Sequence, residues 1–202
     1  MTLKSRILGL LVIAGLLGGC GTVHPGSAAV VNGERITMEQ ADATAHTLCL
    51  INTMGQQGAS FDNAQVRRQA VISLVITEVA EQVAEEKDLK VKVSAEAEAQ
   101  VAQFRELLAP EHRDQFDDVI GINLRFGAIA QELGRAANPG VDDPNALTEL
   151  GMAELSAAMQ DMDVEIDPRF GLAPTGEQIG DSGSLSVPSV NFDAPAPDAR
   201  AA

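Results

Sequence analysis

A segment opened by Phe61 and Asp62 and running to about Glu86 carries Val66, Val71, Ile72, Leu74, Val75, Ile76, Val79 and Val83. At 3.6 residues per turn these side chains fall on more than one face. A helix apolar on several faces must lie at the centre of its domain, with neighbours on both sides. The rest of the chain has to supply those neighbours, and its middle is crowded with the helix formers Ala, Gln and Glu. Aromatic residues are only 3%, with neither Trp nor Tyr, so the helices pack through aliphatic side chains. With 202 residues, 45% of them hydrophobic, one mainly α domain of ordinary size is expected.

The other helices have readable starts. Thr37 stands three residues before Gln40, the spacing of a capping box, so a helix is expected from Met38 to about Met54. "DLKVKVS" then breaks the long helix, and Ser94 is placed to cap a third helix carrying Val101, Phe104, Leu107 and Leu108. Pro110 suits the first turn of a fourth, reaching about Ala137. This helix has two apolar stripes and is expected to be mostly buried, with Gly121 and Gly127 read as points of close backbone packing. After the loop "NPGVDDPN" a fifth helix is expected from about Ala146 to Met159.

Two segments are β-like. Val30 and Val31 lead into Asn32-Gly33, a dipeptide suited to a tight turn with positive φ, and Glu34, Arg35 and Ile36 lead out. Near the other end "DVEIDPRFG" reads as a strand entering a turn. The expected fold is therefore mainly α, about five helices with a small two- or three-stranded β seam formed by the N-terminal and C-terminal strands.

The opening "MTLKSRILGLLVIAGLLGGC" has basic residues at Lys4 and Arg6 and an apolar run from Ile7 to Leu17, the shape of a secretion signal rather than a membrane span. "LGGC" resembles the lipobox of bacterial lipoproteins. The resemblance implies cleavage after residue 19 and attachment of fatty chains such as palmitate at Cys20, whose thiol supplies the nucleophile for a thioether. Residues 1–19 are then signal peptide and 20–28 lipidated Cys and tether. The folded domain is expected over 29–171, followed by a disordered tail over 172–202, rich in Gly, Pro, Ser, Ala and Asp. The expected location is the outer face of the bacterial cytoplasmic membrane. Lipidation leaves Cys49 as the lone thiol, read as a small buried apolar residue.

The formal net charge is −15, and losing Lys4 and Arg6 with the leader leaves 12 basic against 29 acidic side chains, or −17. Such a surface repels nucleic acid and anionic lipid and attracts basic partners. Chemistry is hard to find. His24, His46 and His112 are scattered along the chain, and Ser182, Ser184 and Ser186 have no base nearby. Asp161, Asp163, Glu165 and Asp167 alternate, but an EF-hand loop needs Gly and Glu where this chain has Ile166 and Leu172, so a solvated acidic strand face is expected. No cofactor, metal site or enzymatic activity is expected.

"AAVVNGERITMEQADA", "NAQVRRQAVISLVITEVAEQVAEEKDLKVKVSAEA" and "VEIDPRFG" together resemble the SurA N-terminal module, shared with PrsA-type foldases and similar to the chaperone part of trigger factor. That resemblance implies a cofactor-free helical module that holds unfolded or exported polypeptides. Many relatives insert a parvulin prolyl isomerase domain before the last strand, for which "NPGVDDPN" leaves no room. Flexible thioethers suit surfaces that accept many apolar partners, so Met38, Met54, Met152 and Met159, together with Phe104 and Leu107 of the third helix, are the candidate client-binding residues. Core filling is the competing explanation for the methionines, and an envelope adaptor docking one dedicated protein is the alternative function.

Overall fold

The computed structural model describes residues 25–55 and 62–179. Asn32 (φ 48°) and Gly33 (φ 87°) both take positive φ, the backbone of a type I′ turn, whose twist matches that of the strands it joins. They fold β1 (Ser27–Val31) antiparallel onto β2 (Glu34–Thr37), pairing Val31 with Glu34 and Val30 with Arg35, with a register shift between Ser27 and Ala29.

On its other edge β1 pairs antiparallel with β3 (Val164–Ile166), placing Val31 opposite Val164 and Ala29 opposite Ile166. The strand order is β2-β1-β3, so the two ends of the described chain meet in one small sheet, as expected. The Asn32 N–H donates to the Asp163 carbonyl at 2.7 Å, and the Asp163 N–H donates to Asn32 Oδ1 at 2.9 Å. The turn that makes the hairpin thus also fixes the entry to β3.

Five helices surround this seam: α1 (Met38–Gly55), α2 (Asn63–Glu86), α3 (Ala95–Leu107), α4 (Pro110–Ala137) and α5 (Pro144–Gln160). Their caps follow the sequence. Thr37 Oγ1 accepts from the Gln40 N–H while Gln40 Oε1 accepts from the Thr37 N–H, closing the capping box. Asp62, Ser94 and Asp143 accept first-turn amides of α2, α3 and α5. The Asp143 cap starts α5 two residues earlier than its apolar pattern predicts.

α2 is the central element. Its Val71, Val75, Val79 and Val83 are buried among Ala29, Val31, Val164 and Ile166 of the sheet and Ile129, Leu133 and Leu155 of α4 and α5. Each such aliphatic side chain contributes about 1.5–3 kcal/mol on full burial.

α4 and α5 cross with their backbones in contact. A Cβ on Gly134 would overlap the Leu147 carbonyl, and one on Gly151 would overlap that of Ala130. The expectation at Gly121 and Gly127 is therefore corrected, since neither has any atom within 4 Å of a would-be Cβ. The reason is the unequal burial of α4. Ile129, Ala130, Leu133 and Gly134 are buried against α5 and α2, whereas in its N-terminal half Phe116 and Val119 are buried but Ile120, Ile122 and Leu124 are half-buried or exposed. The helix is not mostly buried.

The folded region extends beyond the expected limits at both ends. Ser27 and Ala28, read as tether, are buried in β1. Past β3, a 3-10 turn at Pro168–Phe170 and the left-handed Gly171 (φ 61°) send the chain into a short hairpin that bridges Leu172 with Gln178. Phe170 and Leu172 are buried in the core, so residues 172–179 belong to the fold and the tail reading does not hold for them. Asp167 also departs from the solvated acidic face. It is buried, accepting from the Arg169 N–H and side chain, because it caps the 3-10 turn. No described helix is long and apolar enough to cross a membrane. Cys20, the signal peptide and residues 180–202 lie outside the described residues.

Candidate functional site

Among the described residues, two of the apolar features that face solvent bear on function. The first is α3, which buries none of its residues. It is tied to α4 by the ion pairs of Arg105 with Asp117 at 2.7 Å and of Arg113 with Glu106 at 3.4 Å, and hydrogen bonding to Asp117 raises the Arg105 pKa above its ordinary value. This helix, none of whose residues is fully buried, presents Phe104 at 57% exposure and Leu107 at 71%. Scattered apolar residues are ordinary on a protein surface, but large ones one turn apart on an unburied helix form a patch.

The second feature is a cleft of roughly 360 Å³ between α2 and α4. Ile36 of β2, Leu74 of α2, and Gly121 and Ile122 of α4 give it apolar walls, with Ile122 37% exposed. Gln40, Thr77, Glu78, Glu81 and Arg125 complete the lining. The Arg125 guanidinium donates to both carboxylate oxygens of Glu81, through Nε and, at 2.8 Å, through Nη2. That bidentate bond raises the Arg125 pKa. Past this pair the groove continues into a hollow of about 330 Å³ bordered by Ala84, Glu85, Asp88 and Leu89.

The wall of the cleft on the α2 side is tied to the hairpin. Gln82 Nε2 donates to Glu78 Oε1 at 2.9 Å and to the Val31 carbonyl at 3.1 Å, while Asn32 Nδ2 donates to Gln82 Oε1 at 2.9 Å. On the opposite wall, Gly121 is a helix-interior glycine with nothing near its would-be Cβ. Such a residue costs about 1 kcal/mol relative to Ala, here without the close helix crossing that accounts for Gly134.

The candidate client-binding residues are not gathered into one groove. Phe104 and Leu107 share the exposed patch, and Met152 is 38% exposed on α5. Met38 and Met159 are half-buried and pack against the main core, and the Met54 side chain lies outside the described residues. None of the six lines the cleft. Sequence reasoning missed Ile36, Leu74 and Ile122 as cleft walls. Ile122 alone left a trace, as a member of an apolar stripe of α4, and the meeting of the three depends on packing.

The histidines are less scattered than their spacing implies. His46 of α1 and His112 of α4 face each other at 5.6 Å between ring centroids, with Gln115 Oε1 at 3.1 Å from His46 Nδ1. Among the described residues no group of three or more His, Cys, Asp or Glu converges as a metal would need. Cys49 is half-buried beside a small cluster of Ala45, Val66 and Ala70.

The family model of the SurA-like N-terminal domain matches residues 2–119. The chain belongs to that family. The match spans the hairpin, α1, α2, α3 and the first part of α4, so it includes both the exposed patch and the Gly121 side's partner wall on α2. In this SurA-like domain α4 and α5 are joined only through residues 138–143, and no parvulin domain interrupts the helices there. No curated protein and no solved structure matches the chain.

Proposed function

We propose that this SurA-like domain is a non-enzymatic, chaperone-like module, anchored by lipid on Cys20 at the outer face of the cytoplasmic membrane, that holds unfolded or exported polypeptides. The observation that carries this reading is the exposed pair Phe104 and Leu107 on a helix that buries nothing, within a chain of the SurA-like family. An apolar helix face held out from the body offers unfolded chains a surface to cover without the module itself unfolding.

The test is suppression of aggregation of an unrelated denatured protein. Suppression at near-stoichiometric ratio is expected, and no effect at severalfold excess sinks the proposal. Crosslinking from α3 in cells separates holding from docking: many unrelated exports are expected, whereas a single stoichiometric partner identifies an adaptor. The anchor is tested by metabolic fatty-acid labelling, which Cys20→Ser should abolish.

A further inference from the structure

We infer that the cleft between α2 and α4 seats an apolar side chain from a basic polypeptide segment, whose Lys or Arg residues lie along the carboxylates of α2. This rests on the polypeptide-holding reading and specifies its ligand class.

The walls Ile36, Leu74 and Ile122 are apolar, and roughly 360 Å³ is at the low end for ligand pockets, room for one or two side chains rather than an extended small molecule. Gly121 lets an occupant approach the α4 backbone, because it lines the cleft and has no protein atom near a would-be Cβ. Gly127 has equally open surroundings but does not line the cleft, which makes it a control placed by the fold itself.

The charge is one-sided. Glu78, Glu81 and Glu85 of α2 and Asp88 just beyond it follow at spacings of three, four and three residues, and so share one side of the helix. Arg125, the cation among the lining residues, is engaged by Glu81. Glu85 has no ion pair among the described residues, and the Lys90–Asp88 pair is largely exposed, leaving it easy to exchange. An apolar cleft opening onto this row fits a segment in which Leu- or Phe-like residues are interspersed with Lys or Arg. The other available occupants are disfavoured by charge. A second copy brings a net −15, and residues 180–202 carry three Asp against one Arg.

The experiment uses the full chain in zwitterionic lipid nanodiscs, with empty discs as the blank, and fluorescently labelled peptides read by anisotropy. A Lys–Leu alternating peptide is expected to bind at least tenfold more tightly than Glu–Leu or Lys–Ser counterparts. Gly121→Leu should weaken it at least tenfold and Gly127→Leu by less than twofold, each checked for a cooperative melt. Should Gly121→Leu fail to fold, Glu78→Gln combined with Glu85→Gln should weaken binding severalfold and flatten its salt dependence. Wild-type affinity in these variants, or equal binding of the Glu–Leu peptide, overturns the inference. Aggregation assays separate it from the holding function. Full suppression retained by Gly121→Leu overturns the cleft assignment and leaves holding intact. Cleft-dependent peptide binding without suppression by the wild type supports the cleft and removes holding.

Discussion

Gly134 of α4 faces the backbone of Leu147 of α5 with no space between them for a side chain. Gly151 meets Ala130 in the same way one step along the crossing. Because the blocking atoms are backbone, the helices themselves would have to separate to admit a methyl group. Gly134→Ala and Gly151→Ala should each destabilise the domain by about 1–3 kcal/mol or more, the cost of overpacking. At Gly121 the same change should instead stabilise by up to about 1 kcal/mol through helix propensity. Urea denaturation of the three variants checks the opposite signs.

This contrast also shows what sequence can and cannot reveal about glycine. All the glycines of α4 look alike as helix weaknesses, and only the path of α5 distinguishes Gly134 from Gly121. Signals that act within a few residues were legible: the Asn32-Gly33 turn, the Thr37–Gln40 box and the caps at Asp62 and Ser94 all form as the sequence implies. So did the centrality of α2, because apolar side chains on several faces leave no other placement. The cleft was not legible, since Ile36, Leu74 and Ile122 come from three elements and their meeting depends on packing. Nor was the hairpin after Gly171, where Gly- and Pro-rich composition reads as unstructured although Phe170 and Leu172 anchor it in the core.

Asn32 joins the N-terminal hairpin to the entry of β3. Its side chain accepts from the Asp163 N–H and donates to Gln82, while its backbone takes the positive φ of the turn. Asn32→Ala removes both hydrogen bonds and places a less tolerant residue at φ 48°, so a loss of about 1–3 kcal/mol is expected. If the clasp matters as the geometry implies, hydrogen exchange at the β1–β3 amides should accelerate in the variant more than at the α4–α5 crossing.

Asp167 makes stability depend on acid. Hydrogen bonds from the Arg169 side chain, and secondarily its backbone N–H, hold the buried carboxyl below the usual carboxylate range. A carboxylate with a lowered native pKa binds protons more readily in the unfolded chain. Its contribution is therefore complete above the ordinary value of 3.8 and fades as pH falls through the lowered native one. Asp167→Asn should cost about 1–3 kcal/mol at pH 7 and progressively less as pH falls below 3.8. The gap between the unfolding free energies of the two proteins, measured from pH 7 downward, should narrow only in the acid range.

Thr47 is fully buried in α1, and its hydroxyl has no hydrogen-bond partner among the described residues. A buried hydroxyl without a partner carries its desolvation cost uncompensated, and valine has nearly the same shape. Thr47→Val should stabilise the domain by about 1 kcal/mol, visible as a rise in the denaturation midpoint. A fall would mean that the hydroxyl is satisfied in solution.

Phe104 and Leu107 separate stability from function most directly. Because α3 buries none of its residues and both side chains are largely exposed, replacing them with Ser removes little from the core and should change stability by no more than about 0.5 kcal/mol. The same double replacement removes the apolar patch that the proposed holding function uses, so aggregation suppression should fall severalfold at an unchanged melting temperature. Val79→Ala makes the reverse comparison. Val79 is buried on α2 within the core, and shortening it should cost about 2 kcal/mol or more through lost burial and the cavity left behind while sparing suppression at temperatures where the domain stays folded. A Phe104→Ser, Leu107→Ser protein that suppresses aggregation as well as the wild type would move client binding off α3 altogether.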